Sequence, residues 1–419
     1  MKKALALILA AFMCIALVAC ATPAGGGEVE EGPIVLRFMA YNSEGSRQQF
    51  MDYLNAHLDG IEIQYEFVSL DDFNNVLATQ LQAGEGPDII EGGGNTKTLA
   101  AADYLYDLAG EGFVSQYAMG GIGAYMTGDQ VWGIPLNSWF EGIWYNKDIF
   151  AEAGVSVPRS LDEFIQLHKD LKAAGFKAQT MGASSWEPMM KQSIGVVNNE
   201  FYSNPANKDF DKKFNSGDAK LADAWLPAVE AWSKVIDEGC LTKDMLGMGY
   251  DQAQEEFALG KAAMWESGPW AVEAINSISG GDLNFGMFPI PGVNVGPGWL
   301  VGGAGSSLCI NKNSKNIDAV LEVFALASTA DAQKALLATN PGTSSFLIGV
   351  DADLGDLYAD CAECFKAGNV NAPWTYAWDF GDPVVQPYGE ALQAVLDGKM
   401  TVLEALEIAD KANADQHGW

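Results

Sequence analysis

Apolar and polar positions follow two rhythms along the first hundred residues. Ile34 to Ala40 is an apolar run of strand length, and Phe50, Leu54 and Leu58 then recur every four residues, as on one helix face. Ile61, Ile63, Tyr65 and Phe67 alternate as in a strand. Phe73, Leu77 and Leu81 mark a second helix, stopped by Gly84-Glu85-Gly86-Pro87, and Asp88-Ile89-Ile90 reads as a short buried strand. This β-α-β-α-β opening predicts an α/β fold with a largely parallel sheet. Further on, Ser160 and Glu163 form a capping box before Phe164, Leu167 and Leu171, with Gly175 closing the helix. A longer helix carries Leu221, Trp225, Val229, Trp232 and Ile236 and stops at Gly239; its two tryptophans sit at core spacing and read as packing. With no internal repeat and no second linker, any two-lobe division must be made by chain crossings.

The N-terminus follows neither rhythm. Lys2 and Lys3 precede an apolar run from Ala4 to Ala19 and then Cys20, the layout of a secretory signal. The run falls short of the roughly 20 residues a membrane span needs. Leu17-Val18-Ala19-Cys20 resembles the lipobox of bacterial lipoproteins, which implies cleavage before Cys20 and lipid on its sulfur; the alternative is an ordinary signal peptide that ends in cysteine. Ala21 to Gly32 is small, Gly-rich and acidic, a tether spanning about 20 Å. The folded body begins at residue 33.

Composition narrows the partners. Without residues 1–19 there remain 400, enough for two or three domains, and the 48% hydrophobic content is that of a globular chain. Of the 24 Lys and Arg, two lie in the signal segment, leaving 22 basic against 55 acidic side chains. Such a field repels nucleic acid and anionic lipid. Cys361-x-x-Cys364 suits a local disulfide or two free thiols better than a metal site, since His57, His168 and His417 all lie far off in sequence. Neither a metal nor a cofactor is expected. Recognisable nucleophile, nucleotide and metalloprotease motifs are missing, while a glycosidase-like carboxylate pair stays open because 55 acids supply many pairs.

What stands out is tryptophan beside turn-formers and polar side chains: Asn137 to Glu141 around Trp139, Ser184 to Glu187 around Trp186, Ser267 to Trp270, Gly296 to Trp299, and Trp374 to Asp379. A loop placement removes the usual packing reason for a large ring. A flat aromatic face suits the C–H face of a pyranose, and neighbouring Asp, Glu, Asn or Ser can bond its hydroxyls. The bland alternative for each ring is that it plugs a loop against the core.

Gly133-Ile134-Pro135-Leu136, then Trp144 to Gly154, Pro158 and Leu161-Asp162-Glu163-Phe164 resemble the central signature of family 1 extracellular solute-binding proteins, the maltose-binding-like group. Similar stretches at Gly84 to Ile89, Phe257 to Met264 with Gly268-Pro269-Trp270, Ser314-Lys315-Asn316 and Gly398 to Leu406 extend the likeness over nearly all of residues 34–410. The resemblance implies a two-lobe periplasmic-binding-protein-like fold with a hinge and an interlobe ligand cleft. It implies a first lobe from 33–139 plus 296–340 and a second from 140–295 plus 341–419. Binding positions fall on Ser43, Asn95, Trp139, Glu141, Trp186, Glu187, Trp270 and Trp299, with Trp374, Trp378 and Asp379 also placed at the cleft. The implied function is capture of a sugar or short oligosaccharide, without catalysis, for the permease subunits of an ABC importer. The protein would act as a monomer on the outer face of the bacterial membrane. A non-sugar solute such as a polyamine or quaternary amine, or a secreted glycosidase, are the alternatives. Gly92-Gly93-Gly94 departs from relatives with bulkier, often aromatic residues there, which implies a missing stacking platform or a wider cleft.

Overall fold

The computed structural model describes residues 32–339, 342–350 and 354–419, and the body from Ile34 onward is one compact unit. The opening follows the hydrophobic pattern: strand β1 (Ile34–Ala40), helix Glu44–His57, β2 (Ile61–Phe67), helix Leu70–Ala83 and β3 (Ile89–Gly92). β1 pairs in parallel with β2 and β3. A small hairpin, β4 (Met126–Thr127) with β5 (Gln130–Val131), precedes β6 (Ile134–Pro135) and the nine-residue β7 (Ser138–Asn146). After these come β8 (Lys177–Thr180), β9 (Ala262–Ser267), β10 (Phe285–Phe288), β11 (Val301–Ala304) and β12 (Ser307–Ile310).

These strands form two five-stranded sheets, the first in the order β2-β1-β3-β12-β6 and the second β10-β7-β9-β8, with β11 also on β7. The parallel expectation holds for β1, β2 and β3, while β12 runs antiparallel to both β3 and β6. In the second sheet only β8 and β9 are parallel. A long connection through the other lobe lets a strand return in either sense, so the βαβ rule that governs the opening does not reach these strands.

The two sheets are joined by crossings that lie side by side. Leu136 and Asn137 carry the chain from β6 to β7, and Gly305 and Ser306 carry it back from β11 to β12. Backbone bonds from Leu136 N to Ser306 O (2.9 Å) and from Gly305 N to Asn137 O (2.8 Å) couple them. Ser138 N also donates to Ser344 O at 2.7 Å, adding the segment that leads to the C-terminal helices. A buried ion pair braces the hinge from the first lobe. Arg47 Nη2 meets Glu91 Oε1 at 2.6 Å and donates to Ser306 Oγ at 2.9 Å.

Strand pairing places the first crossing at 136–137, just before the implied 139, and the return to the first lobe later than implied. Residues 301–304 lie on β7 in the second sheet, and Leu347 and Val350 pack in the first sheet's core. Gly302 explains the later return: a Cβ there would stand 2.2 Å from Trp139 O, so only glycine lets β11 lie on β7. The helix with Trp225 and Trp232 breaks at Trp225, just before Pro227, into Leu221–Ala224 and Leu226–Asp237, with both rings fully buried as expected. Ser160 Oγ accepts from Glu163 N at 3.2 Å, but the Glu163 carboxylate reaches Arg159 N rather than closing the box on Ser160.

Candidate functional site

β7 leaves the hinge carrying Trp139 and Glu141. Trp139 is half-buried and meets Trp374 edge to face, with ring centroids 6.2 Å apart. Trp374 lies in the short helix Pro373–Tyr376, so two tryptophans distant in sequence make one aromatic corner. Both belong to regular elements rather than loops, contrary to the sequence reading. Pleating sends Glu141 to the face covered by the helix Glu187–Val197. That helix supplies Lys191, whose ammonium lies 2.5 Å from Glu141 Oε1, 2.8 Å from Glu187 Oε2 and 5.6 Å from the Trp139 ring centre.

Charge in this network is held by proximity. Burial alone would depress the Lys191 ammonium, but Glu141 and Glu187 overcome it and hold its pKa above the ordinary value. Burial raises the Glu141 carboxyl, with Lys191 opposing. Trp186 opens the same helix, and its backbone oxygen and ring lie against Gly389 of the helix Gly381–Leu396. Asp382, at the start of that helix, has its carboxyl raised by its surroundings and by Glu187, while Lys191 lowers it. Its Oδ2 lies 3.3 Å from the position of a Cβ on Gly94. The glycine run thus faces the second lobe across the cleft. A Cβ on Gly93 would meet Tyr41 Oη at 2.7 Å, so bulk is excluded there by the first lobe itself.

Trp270 follows β9 and is 51% exposed. Its indole donates to Tyr250 Oη at 3.0 Å, Tyr250 Oη lies 3.1 Å from Ser267 Oγ, and the ring lies over Gly268, where a Cβ would come within 2.2 Å of it. Glu141 and Lys191 both act on the Tyr250 hydroxyl, which joins this exposed ring to the network. At the opposite rim, Lys97 donates to Tyr376 O at 3.1 Å, and burial lowers its ammonium against the pull of Asp379.

Other sequence candidates are placed differently. Trp378 is buried against Phe214 and Trp225 and donates to Asp211 Oδ1 at 2.9 Å, a packing position. Ser43 caps the first helix through Ser46 N. Asn95 accepts from Gly93 N and donates to Asn74, beside the glycine run. Trp299 is half-buried and pairs through its backbone with Ile290. Cys20 lies outside the described residues. Cys361 and Cys364 are free and buried, and burial pushes the Cys364 thiol up to about 12, so neither is a ready nucleophile or ligand. Sequence reasoning missed Lys191, Tyr250, Glu266 and Asp382. Lys191 had a signal, being the one charge after Glu187 in EPMMKQSIGVV and four residues from it.

Two α/β lobes on a three-stranded hinge, with tryptophans and an ion network at the junction, define a two-lobe solute-binding fold. The chain belongs to the bacterial extracellular solute-binding protein family, which it matches over residues 42–334. That family implies an extracellular or periplasmic location. The multiple sugar-binding protein of Streptococcus mutans is 27% identical over 282 residues, 65% of this chain and 66% of that protein, so the match spans just under two thirds of the relative. A family 1 extracellular solute-binding protein from Bifidobacterium longum subsp. infantis shares the fold with a TM-score of 0.74 at 20% identity, over 92% of this chain and 100% of that one. The GacH receptor of Streptomyces glaucescens, solved unliganded and with acarbose, gives 0.73 at 18% identity over 92% and 98%. Homologues of this kind are solute-binding proteins, not enzymes.

Proposed function

We propose that this protein captures a sugar or short oligosaccharide in the cleft and hands it to the permease of an ABC importer, without changing it chemically. The carrying observation is the convergence of Trp139 and Trp374 on the Glu141–Lys191–Glu187 network. Trp139, half-buried and backed by the buried Trp374, offers an apolar face for pyranose C–H groups, and the carboxylates and ammonium offer acceptors and a donor for hydroxyls. Trp270 adds a further exposed face. The sugar-binding relative in Streptococcus mutans and the acarbose complex of GacH support the ligand class. In a thermal melt, a saccharide at 100 times its dissociation constant should add about 2.7 kcal/mol of stability. Chromatography after long incubation should recover it uncleaved. A panel of saccharides that leaves the melting temperature unmoved, or one that accumulates cleaved product, contradicts this reading.

The body is held at the membrane by lipid on Cys20, a reading supported by the lipobox-like Leu17 to Cys20 and the acidic tether behind it. Cys20→Ser should release the protein or leave it unprocessed in cell fractionation. Correct cleavage with undiminished membrane attachment would remove the anchor.

A further inference from the structure

The two rings of the aromatic corner belong to the second lobe, yet their placement is fixed in part from the first. Trp374 is buried in the second lobe's core, and Trp139 packs against that core and against Trp374 itself. Trp374 lies in the four-residue helix Pro373–Tyr376, a single turn that cannot hold its own position and takes it from its contacts. The last residue of that turn is tied to both lobes. Tyr376 Oη donates to Asn371 Oδ1 at 2.8 Å, and the Asn371 amide donates to Asn198 Oδ1 at 2.8 Å, at the end of the helix that supplies Lys191. The Tyr376 carbonyl, by contrast, accepts from Lys97 Nζ at 3.1 Å. Lys97 is a first-lobe residue, in the helix Thr96–Ala101, where Leu99 and Ala100 pack with Met39 of β1 and Ile90 of β3. Thr96, just before it, is fully buried with its hydroxyl 3.3 Å from Ser307 Oγ on β12, which fixes the base of Lys97 to the first sheet.

Resting on the saccharide reading above, we propose that Lys97 is a positioning residue for the sugar-stacking face: it reaches from the first lobe to the turn that holds Trp374 behind Trp139. The face is then complete only while the lobes keep this arrangement. Parting the lobes withdraws the ammonium from Tyr376, frees one end of the turn and loosens the backing of Trp139. A sugar stacked on Trp139 in turn favours the arrangement in which Lys97 reaches Tyr376, so stacking and lobe arrangement are coupled through one hydrogen bond.

The test has two readouts on the whole chain. Fluorine NMR of fluorotryptophan-labelled protein, with the two rings assigned through Trp139→Phe and Trp374→Phe, reads ring placement without any sugar. Calorimetric titration with maltotriose, raffinose and acarbose reads affinity. Lys97→Met should shift or broaden both ring signals and weaken the binding of whichever of these sugars the wild type takes by about tenfold, the size expected for one charge-assisted hydrogen bond. Lys97→Arg, which keeps a charged donor there, should restore both, and melting should show each variant folded. Ring signals unchanged in Lys97→Met, or changed signals with undiminished affinity, would overturn the positioning role and leave the saccharide reading standing. If the wild type binds none of the three sugars, the saccharide reading loses its support, while the sugar-free ring signals still decide whether Lys97 places the two tryptophans.

Discussion

Trp270 is the site residue whose environment separates two roles most cleanly. With 51% of the residue exposed and its indole tied to Tyr250, little of its ring supports the fold. Its turn and hydrogen bond leave it little freedom to lose when a ligand stacks on it. Trp270→Ala should therefore weaken saccharide binding by about 2 to 4 kcal/mol, roughly thirty- to a thousandfold, in the range of interface hot spots. Its melting temperature should fall far less than that of Trp225→Ala, where removing a fully buried ring costs about 3 to 5 kcal/mol. Titration and melting of both variants decide the matter, and normal affinity in a destabilised Trp270→Ala would return the ring to the core. Glu266 makes a second residue-scale prediction. Its carboxyl sits well above the ordinary 4.5, so the folded chain holds that proton more tightly than the unfolded chain does. That contribution is complete below about pH 4.5 and is lost as pH rises through the folded pKa. Glu266→Gln, neutral at every pH, should flatten this decline in urea-unfolding stability; an unchanged slope would show that Glu266 does not titrate there.

At the scale of elements, local patterns in the sequence were readable wherever one element determines them. The four-residue spacing of Phe73, Leu77 and Leu81 and the alternation from Ile61 to Phe67 fall on the observed helix and strand. Asn146 caps its helix through Asp148 N and Ile149 N. Pairing was not readable, because the partners of β7 come from residues more than a hundred positions away. For the same reason Trp139 reads as a loop residue beside Asn137 and Ser138 but sits on a strand against Trp374. The contact of the helices Glu187–Val197 and Gly381–Leu396 is equally invisible in sequence and is set by Gly389, where a Cβ would lie 2.4 Å from Trp186 O. Gly389→Ala should cost about 1 to 3 kcal/mol in urea unfolding, as overpacking does. Gly45→Ala, with nothing within 4 Å of its Cβ, should be neutral or slightly stabilising. Equal stability of the two variants would contradict the close helix contact.

Over the whole molecule, the function depends on two lobes that share a hinge. The formal charge of −31 sets the background field, and within it the cleft concentrates carboxylates around one buried lysine. Family resemblance in the sequence reached this architecture; of the residues it named, Glu141 and Glu187 pair with that lysine, Trp139 lies beneath it and Trp374 packs on Trp139. It did not find Lys191 or Asp382, since their importance comes from neighbours supplied by other elements, and it included Trp378, which the fold turns inward. It also placed the return to the first lobe at residue 296, before the strand that Gly302 binds to β7. The measurement that bears most directly on the central claim is isothermal titration of the protein with a panel of mono- and oligosaccharides. The account predicts saturable binding of one saccharide per chain with a negative heat-capacity change as the apolar faces are covered. Absence of saturable heat with every saccharide up to millimolar concentration, in protein that melts cooperatively, would contradict it.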